Sequence, residues 1–361
     1  MRPSIPIILP HKEGFGPGRA GAVSMVVRRI AAASRSPVLV IGPDTPGPRF
    51  TGIDFRAVPV RRFPSQVWSY ALGVAALLAR LPPGPIELHN KPELALFLSY
   101  LFPARPITLF LHNDPRAMRT ARSPAQRRRL LARMAHVVCV SAHLRTALLD
   151  GIDHPPADPL VIANAIDPAE LPALTPPEAR AKLILFAGRV VPQKAPDAFV
   201  AACARALPLL PGWRAAIIGG DGFTAHGRET GFIAALRPRA AAAGVELRGY
   251  LPHDQVLAAL AEAAIAVVPS RWEEPFGLAA LEAMACGAAL ACSMRGGLAE
   301  VAGDAALIFD PDDIDEAAAT LVRLAGDATL RARLAEAGRA RVAAHFSLPA
   351  MIDRLEALRA G

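Results

Sequence analysis

Glu274 and Glu282 stand eight residues apart in a stretch, Ser270 to Gly287, that joins a short apolar run to a helix. The run, Ala264 to Pro269, reads as a buried parallel strand, and the helix opens near Gly277. Leu278 and Glu282 are four residues apart, so Glu282 projects from the helix face that turns back toward the loop. A strand that ends in a loop and feeds a helix N-terminus is where open α/β sheets take up anions, because unpaired N–H groups and the helix dipole point at the ligand. A second such place follows the run ending at Phe186. Gly188 allows close backbone approach there, and Arg189 and Lys194 bring two cations to the strand's carboxyl end. Taken together, these residue types suit the binding of a polyanion.

The stretch Trp272 to Leu278, followed by Leu281 to Gly287, resembles the E-x7-E signature of the retaining glycosyltransferases of family 4, which have the GT-B fold. Gly188 to Lys194 is similar to the same family's Gly-Arg-Leu-Val-Pro-Glu-Lys run and departs from it at Gln193, with Ala195 replacing the Gly that follows, while keeping both cations. The resemblance covers nearly the whole chain and is densest in the second half.

From it follows a set of expected roles. Glu282 would bond the ribose hydroxyls of a nucleotide-sugar donor and Glu274 the donor sugar. Main-chain N–H groups over Phe276, Gly277 and Leu278, after Pro275, would face sugar and phosphates. Arg189 and Lys194 would neutralise the departing diphosphate, so no metal and no cofactor is required. Tyr250, beside Arg248 and Gly249, occupies the place where related enzymes hold the base through main-chain groups. Ile218 to Gly222 resembles a Gly-Asp-Gly loop, and Gly296 and Gly297 a glycine pair that shapes the donor site.

In the first half, Gly16 to Ala22 is a glycine-rich turn whose Gly18 and Gly21 would approach the donor's phosphate or the acceptor. His112, with Asn113 and Asp114 at the end of an apolar strand, resembles the family's strand-end histidine near the donor sugar. His89 and Asn90 end the preceding strand in the same manner.

These groups must be positioned by two sheets. Twelve short runs are predicted as strands: Ile5–Leu9, Val38–Ile41, Phe55–Val60, Ile86–His89, Ile107–Leu111 and Val137–Val140, then Leu183–Ala187, Ala215–Ile218, Val245–Leu247, Ile265–Val268, Ala289–Cys292 and Ala306–Phe309. Most are continuously apolar, the pattern of parallel strands covered on both faces. Segments such as Ser65–Arg80, Ser123–Ala135, Pro196–Leu207 and Asp312–Leu324 carry helical spacing between them. Seven prolines between Asp153 and Arg180 mark a linker. The organisation expected is α/β: two Rossmann-like, doubly wound domains facing across a cleft. The first spans 1–171, with a final helix at 347–361 packing back on it, and the second, which binds the nucleotide-sugar, spans 180–346.

The 361 residues are 52% hydrophobic and 20% charged, as in a globular chain. No apolar stretch is long enough to span a bilayer, and the N-terminus reads as a first strand instead of a signal peptide. Four cysteines in apolar surroundings, without CxxC spacing, suggest reduced thiols in the cytoplasm. The net charge of +8 is concentrated in Arg116, Arg119, Arg122, Arg127, Arg128, Arg129 and Arg133, with Arg61 and Arg62 beside Phe63 and near Trp68. That surface could meet the anionic inner face of a membrane, and no nucleic-acid motif accompanies it. A transferase moving a sugar from a UDP- or GDP-linked donor to a glycan or lipid-linked acceptor in lipopolysaccharide, capsule or exopolysaccharide synthesis is the reading. A nucleotide-sugar epimerase, a non-catalytic nucleotide-sugar-binding protein and a dinucleotide oxidoreductase are the alternatives, the last lacking its GxGxxG.

Overall fold

The computed structural model of the chain describes residues 4–62, 65–220 and 230–360. Phe63, Asp221 and Gly222 lie outside the described residues. Two compact units divide the chain, one made of 1–165 with 348–361 and the other of 166–347.

The first unit runs β1 (Ile5–Ile8), α1 (Ala22–Ala33), β2 (Val38–Pro43), β3 (Phe55–Val58), α2 (Gln66–Leu78), β4 (Ile86–His89), α3 (Pro92–Leu101), β5 (Ile107–Leu111), α4 (Pro124–Arg133), β6 (His136–Cys139), α5 (Ala142–Leu149) and β7 (Leu160–Val161). Its seven strands are all parallel, in the order β3-β2-β1-β4-β5-β6-β7. Every residue of β1, β4 and β5 is buried, as expected of central parallel strands with helices on both faces, and the polar Glu87, His89 and Thr108 are buried with the apolar residues. Helix starts are set by side-chain caps. Ser65 accepts from the Trp68 amide, and Ser123 and Gln126 form a reciprocal capping box at α4.

The second unit runs β8 (Ala181–Ala187), α6 (Pro196–Ala206), β9 (Arg214–Ile218), α7 (Gly231–Ala242), β10 (Val245–Gly249), α8 (His253–Glu262), β11 (Ala263–Val268), α9 (Leu278–Ala285), β12 (Ala289–Cys292), α10 (Leu298–Ala302), β13 (Ala306–Ile308), α11 (Ile314–Gly326) and α12 (Ala328–His345). Its strands are parallel in the order β10-β9-β8-β11-β12-β13. Ile184, Phe186, Phe199, Ile217, Ile265, Val267 and Leu321 are among the buried side chains of its core.

Helix α13 (Leu348–Ala360) belongs to the first unit. Arg359, 4% exposed, donates to both carboxylate oxygens of Glu87 in β4 at 2.6 and 2.9 Å, and Arg35 pairs with Asp353. The proline-rich segment differs from the linker expected. It carries β7, which pairs with Val138 and Cys139, and the units part at 165/166 because the Ile166 amide bonds to Phe346 O of the second unit. A two-residue edge strand among prolines leaves no period to read.

In each sheet the strand order reverses direction once, between β1 and β4 and between β8 and β11. Loops leaving neighbouring strands on opposite sides of such a point open a crevice at the sheet's carboxyl edge. All four cysteines are free and buried, and burial pushes the Cys139, Cys286 and Cys292 thiols up to about 12. Among the described residues no helix is long and apolar enough to cross a membrane.

Candidate functional site

The crevice of the second sheet is bounded by the segments after β8 and β11. After β8 the chain forms a 3₁₀ turn, Pro192–Lys194, closed by Ala195 in the left-handed region at φ 52°. After β11, Gly277 at φ 108° starts α9. The turn presents Lys194, whose Nζ lies 2.5 Å from Oε1 and 2.7 Å from Oε2 of Glu274. Glu274 is buried, and Ser270 Oγ donates to its Oε1 at 2.6 Å. Ser270 is held in turn, its carbonyl accepting from Ser293 Oγ at 2.7 Å. The amides of Arg271 and Trp272 both donate to Gln193 O, tying the two loops together. Three hydrogen bonds, two of them from one cation, therefore fix a single carboxylate group.

Glycines are required where backbones meet. Gly297 N donates to Glu274 O at 2.6 Å, and a Cβ on Gly296 (φ 62°) would fall 2.5 Å from that same oxygen. A Cβ on Gly219 would fall 1.8 Å from Gly188 O, so the ends of β8 and β9 touch main chain to main chain. Gly219 N continues the contact to Gly249 O at the end of β10. Arg189 is exposed at this edge, and Tyr250 is half-buried next to Gly220. Pro275 is half-buried and Leu278 opens α9. The Phe276 ring packs edge-on against Phe346, 5.7 Å between centroids, so its side chain belongs to the core.

Glu282, half-buried on α9, meets a partner not foreseen from sequence. His253 Nε2, on the first residue of α8, lies 2.9 Å from Glu282 Oε1. A histidine that follows Pro252 at a helix start has no distinguishing pattern; only the fold brings it to Glu282.

In the first unit, His112 and His89 leave adjacent strands. His89 Nδ1 and His112 Nε2 are 2.8 Å apart, the His112 amide donates to Asn90 Oδ1, and the His89 ring stacks on Phe110 at 4.6 Å. Burial lowers the His112 pKa to about 4 and holds that of His89 well below the ordinary imidazole value, with His112 and Arg359 adding to the shift. Both rings are neutral at pH 7, and one N–H is shared between them. Gly18 is at φ 70° with open space around it, so backbone conformation is what requires glycine there. A Cβ on Gly21 would strike the Glu13 carboxylate, 2.6 Å from Oε2, so an internal contact by itself requires glycine there.

The arginine-rich segment is largely consumed internally. Arg127 is buried and donates to four backbone carbonyls, Arg128 to that of His154, Arg129 and Arg133 to Tyr100 and Ser99, and Arg116 pairs with Asp114 and Asp150. Arg119 and Arg122 remain as exposed cations.

Two parallel sheets, each with one reversal of strand order, and a Lys–Glu site at one of them are the arrangement of GT-B glycosyltransferases. Residues 171–341 match the family model described as Glycosyl transferases group 1, and residues 21–170 that described as Glycosyltransferase Family 4. The chain belongs to glycosyltransferase family 4. It is 30% identical over 370 residues to D-inositol 3-phosphate glycosyltransferase of Geodermatophilus obscurus, covering 92% of this chain and 79% of that protein. It spans less than half the length of other curated relatives that it matches. Among solved structures, sucrose-phosphate synthase from Thermosynechococcus elongatus superposes with a TM-score of 0.82 at 20% identity, covering 99% of this chain and 98% of that one. Anabaena HepE in complex with UDP-glucose superposes with a TM-score of 0.78 at 17% identity, covering 98% of each. These likenesses establish the fold.

Proposed function

We propose that the chain is a retaining, metal-independent glycosyltransferase that moves a hexose-type sugar from a UDP- or GDP-linked donor to a hydroxyl of an acceptor. The observation that carries this reading is the buried carboxylate of Glu274, gripped by Lys194 and Ser270 at the strand-order reversal of the second sheet. The UDP-glucose held by HepE favours UDP.

The donor's pyrophosphate takes the place beside Lys194 and Arg189, with the amides at the start of α9 directed at it. Glu274 then accepts from sugar hydroxyls, and Glu282, steadied by His253, from the ribose; Tyr250 lies where the base is held. As the bond from C1 to the phosphate oxygen breaks, negative charge grows on the diphosphate and the cations stabilise it, which lowers the barrier without a metal ion. The acceptor oxygen bonds to C1 on the face the diphosphate leaves, and its proton passes to the departing phosphate oxygen. No protein nucleophile is needed for that step, so positioning and charge stabilisation carry catalysis. His112 and the turn holding Gly18 and Gly21 serve the acceptor side.

The names of the relatives attach to a sugar-phosphate synthase and an inositol-phosphate transferase, which favours a small phosphorylated acceptor. A lipid-linked acceptor of lipopolysaccharide, capsule or exopolysaccharide synthesis, at an anionic membrane, rests on the basic first unit, where the exposed Trp68 and Leu72 of α2 add apolar area. A panel of UDP- and GDP-sugars scored for nucleoside diphosphate release tests the reading. Release from at least one donor, abolished by Glu274→Ala in a folded protein, is the expected result; undiminished release in that variant removes the site.

A further inference from the structure

At the strand-order reversal of the first sheet lies a cavity of about 310 Å³, within the range of small-ligand sites. The segments after β1, β4 and β5 form its wall, and Lys12, Glu13, Asn90, Lys91, Asn113 and Arg119 are among its polar lining residues. Three cations thus face two carboxylates, Glu13 and Glu93. Unlike the neighbouring arginines, which are spent on carbonyls and aspartates, Lys12, Lys91 and Arg119 make no hydrogen bond or ion pair through their charged groups among the described residues. Three separate segments bring uncommitted positive charge to one cavity.

Backbone conformation marks the same place. Four non-glycine residues among those described have positive φ, and two of them, Asn90 at 57° and Lys91 at 59°, line the cavity. A third, Thr120 at 63°, follows Arg119, and its Oγ1 is buried without a hydrogen-bond partner. Such conformations are strained in non-glycine residues and cluster at active sites and ligand clamps. Lys91 and Lys12 both bear on His11, whose pKa falls to about 4 through burial first and then these two charges, so their fields converge. Glu13 adds an acceptor: its Oε2 is buried and makes no hydrogen bond, and burial raises its pKa although Ser24 and Gly21 lie close enough to favour the anion.

We propose that this cavity binds the acceptor and that the acceptor is a phosphate monoester, its phosphate held by Lys12, Lys91 and Arg119 and a hydroxyl turned to Glu13. The assignment rests on the glycosyltransferase reading for the word acceptor, but the phosphate site stands on its own geometry. A dianionic phosphate matches three uncommitted donors, and Arg119 can engage two of its oxygens at once. A neutral glycan would leave those cations uncompensated.

Calorimetric titration of the whole chain with glucose 6-phosphate, glucose and UDP tests this, beside flotation on phosphatidylcholine vesicles with and without phosphatidic acid. The variants are Lys91→Asn, which tolerates the left-handed backbone, combined with Arg119→Gln, and the exposed Lys12→Gln alone in case the pair disturbs folding. Glucose 6-phosphate should bind where glucose does not, weaken at least tenfold in the double variant and weaken measurably in Lys12→Gln, with UDP affinity unchanged in both. Variant-sensitive binding to phosphatidic acid vesicles but not to glucose 6-phosphate also supports the phosphate site and assigns the phosphate to a lipid. Equal binding of glucose and glucose 6-phosphate, affinities unchanged by the substitutions, or no binding of either phosphate source overturns it. Failure of UDP to bind the unaltered chain defeats the transferase reading instead, whatever the phosphate arms give.

Discussion

Lys194 Nζ sits between the two carboxylate oxygens of Glu274, 2.5 and 2.7 Å away, although the residues are 80 positions apart. The Glu274 side chain is only 4% exposed, so the ammonium compensates a charge that water hardly reaches. Removing one partner of such a pair strands the other, and the cost is typically about 3–5 kcal/mol. Lys194→Ala is therefore expected to lose stability on that order and transfer activity by a factor of roughly 10² or more. Adding Glu274→Gln to it should restore most of the stability and none of the activity. Urea unfolding followed beside nucleoside diphosphate release checks both; a double variant less stable than Lys194→Ala would contradict the burial argument.

The neutral histidine pair gives a pH dependence with a definite sign. His112 has a folded pKa of about 4 against an ordinary value of 6.5. The unfolded chain therefore takes up a proton near pH 6.5 that the folded chain refuses until about pH 4. Stability is complete above pH 6.5 and declines as pH falls through that window, by up to about 3 kcal/mol for this residue. Urea midpoints at pH 7.5 and 5 should differ accordingly, and His112→Gln should flatten the difference. An equal pH response in that variant would remove the pair as its source.

Glycine substitutions separate conformation from contact. Gly296→Ala combines φ 62° with a Cβ 2.5 Å from Glu274 O, so the Glu274 loop must move. Gly18→Ala meets nothing within 4 Å despite φ 70°. The second should cost about 1 kcal/mol and leave transfer nearly intact, whereas the first should lower both the melting temperature and kcat. Calorimetry and steady-state kinetics on the two proteins decide it.

His253 Nε2 lies 2.9 Å from Glu282 Oε1, so under the proposed donor site it is expected to act as a positioning residue. With His253→Ala, Glu282 keeps its charge but loses one fixed orientation. Donor KM should rise several-fold with kcat little changed, the pattern of binding energy lost equally from ground and transition states. His253→Gln, able to donate to the same oxygen, should recover part of the affinity. A fall in kcat at constant KM would place His253 in the chemical step instead.

Much of this was legible in the chain because parallel strands covered on both faces are largely apolar. Val137 and Leu183 announce their strands without any partner being known. Leu160 and Val161 do not, since two residues between prolines pair only because β6 offers an open edge. Charge was least legible. Arg127 is indistinguishable from Arg128 by type, yet it shares a helix face with Leu130 and Leu131 and is buried, whereas Arg128 is exposed. The Lys194, Arg189, Glu274 and Glu282 candidates could be named from motif spacing, but that Lys194 grips Glu274 depends on β8 and β11 being neighbours in the sheet. Lys12 and Lys91 carry no motif. Their convergence follows from β1 lying beside β4, a matter of strand order that no local pattern states.

Helix α13 has a consequence for biogenesis. Glu87 waits 272 residues for Arg359. At ribosomal speeds of about 5–20 residues per second, the carboxylate at the centre of the first sheet goes without its counter-ion for some tens of seconds. The first unit is thus completed only after the intervening unit has already emerged and had time to fold.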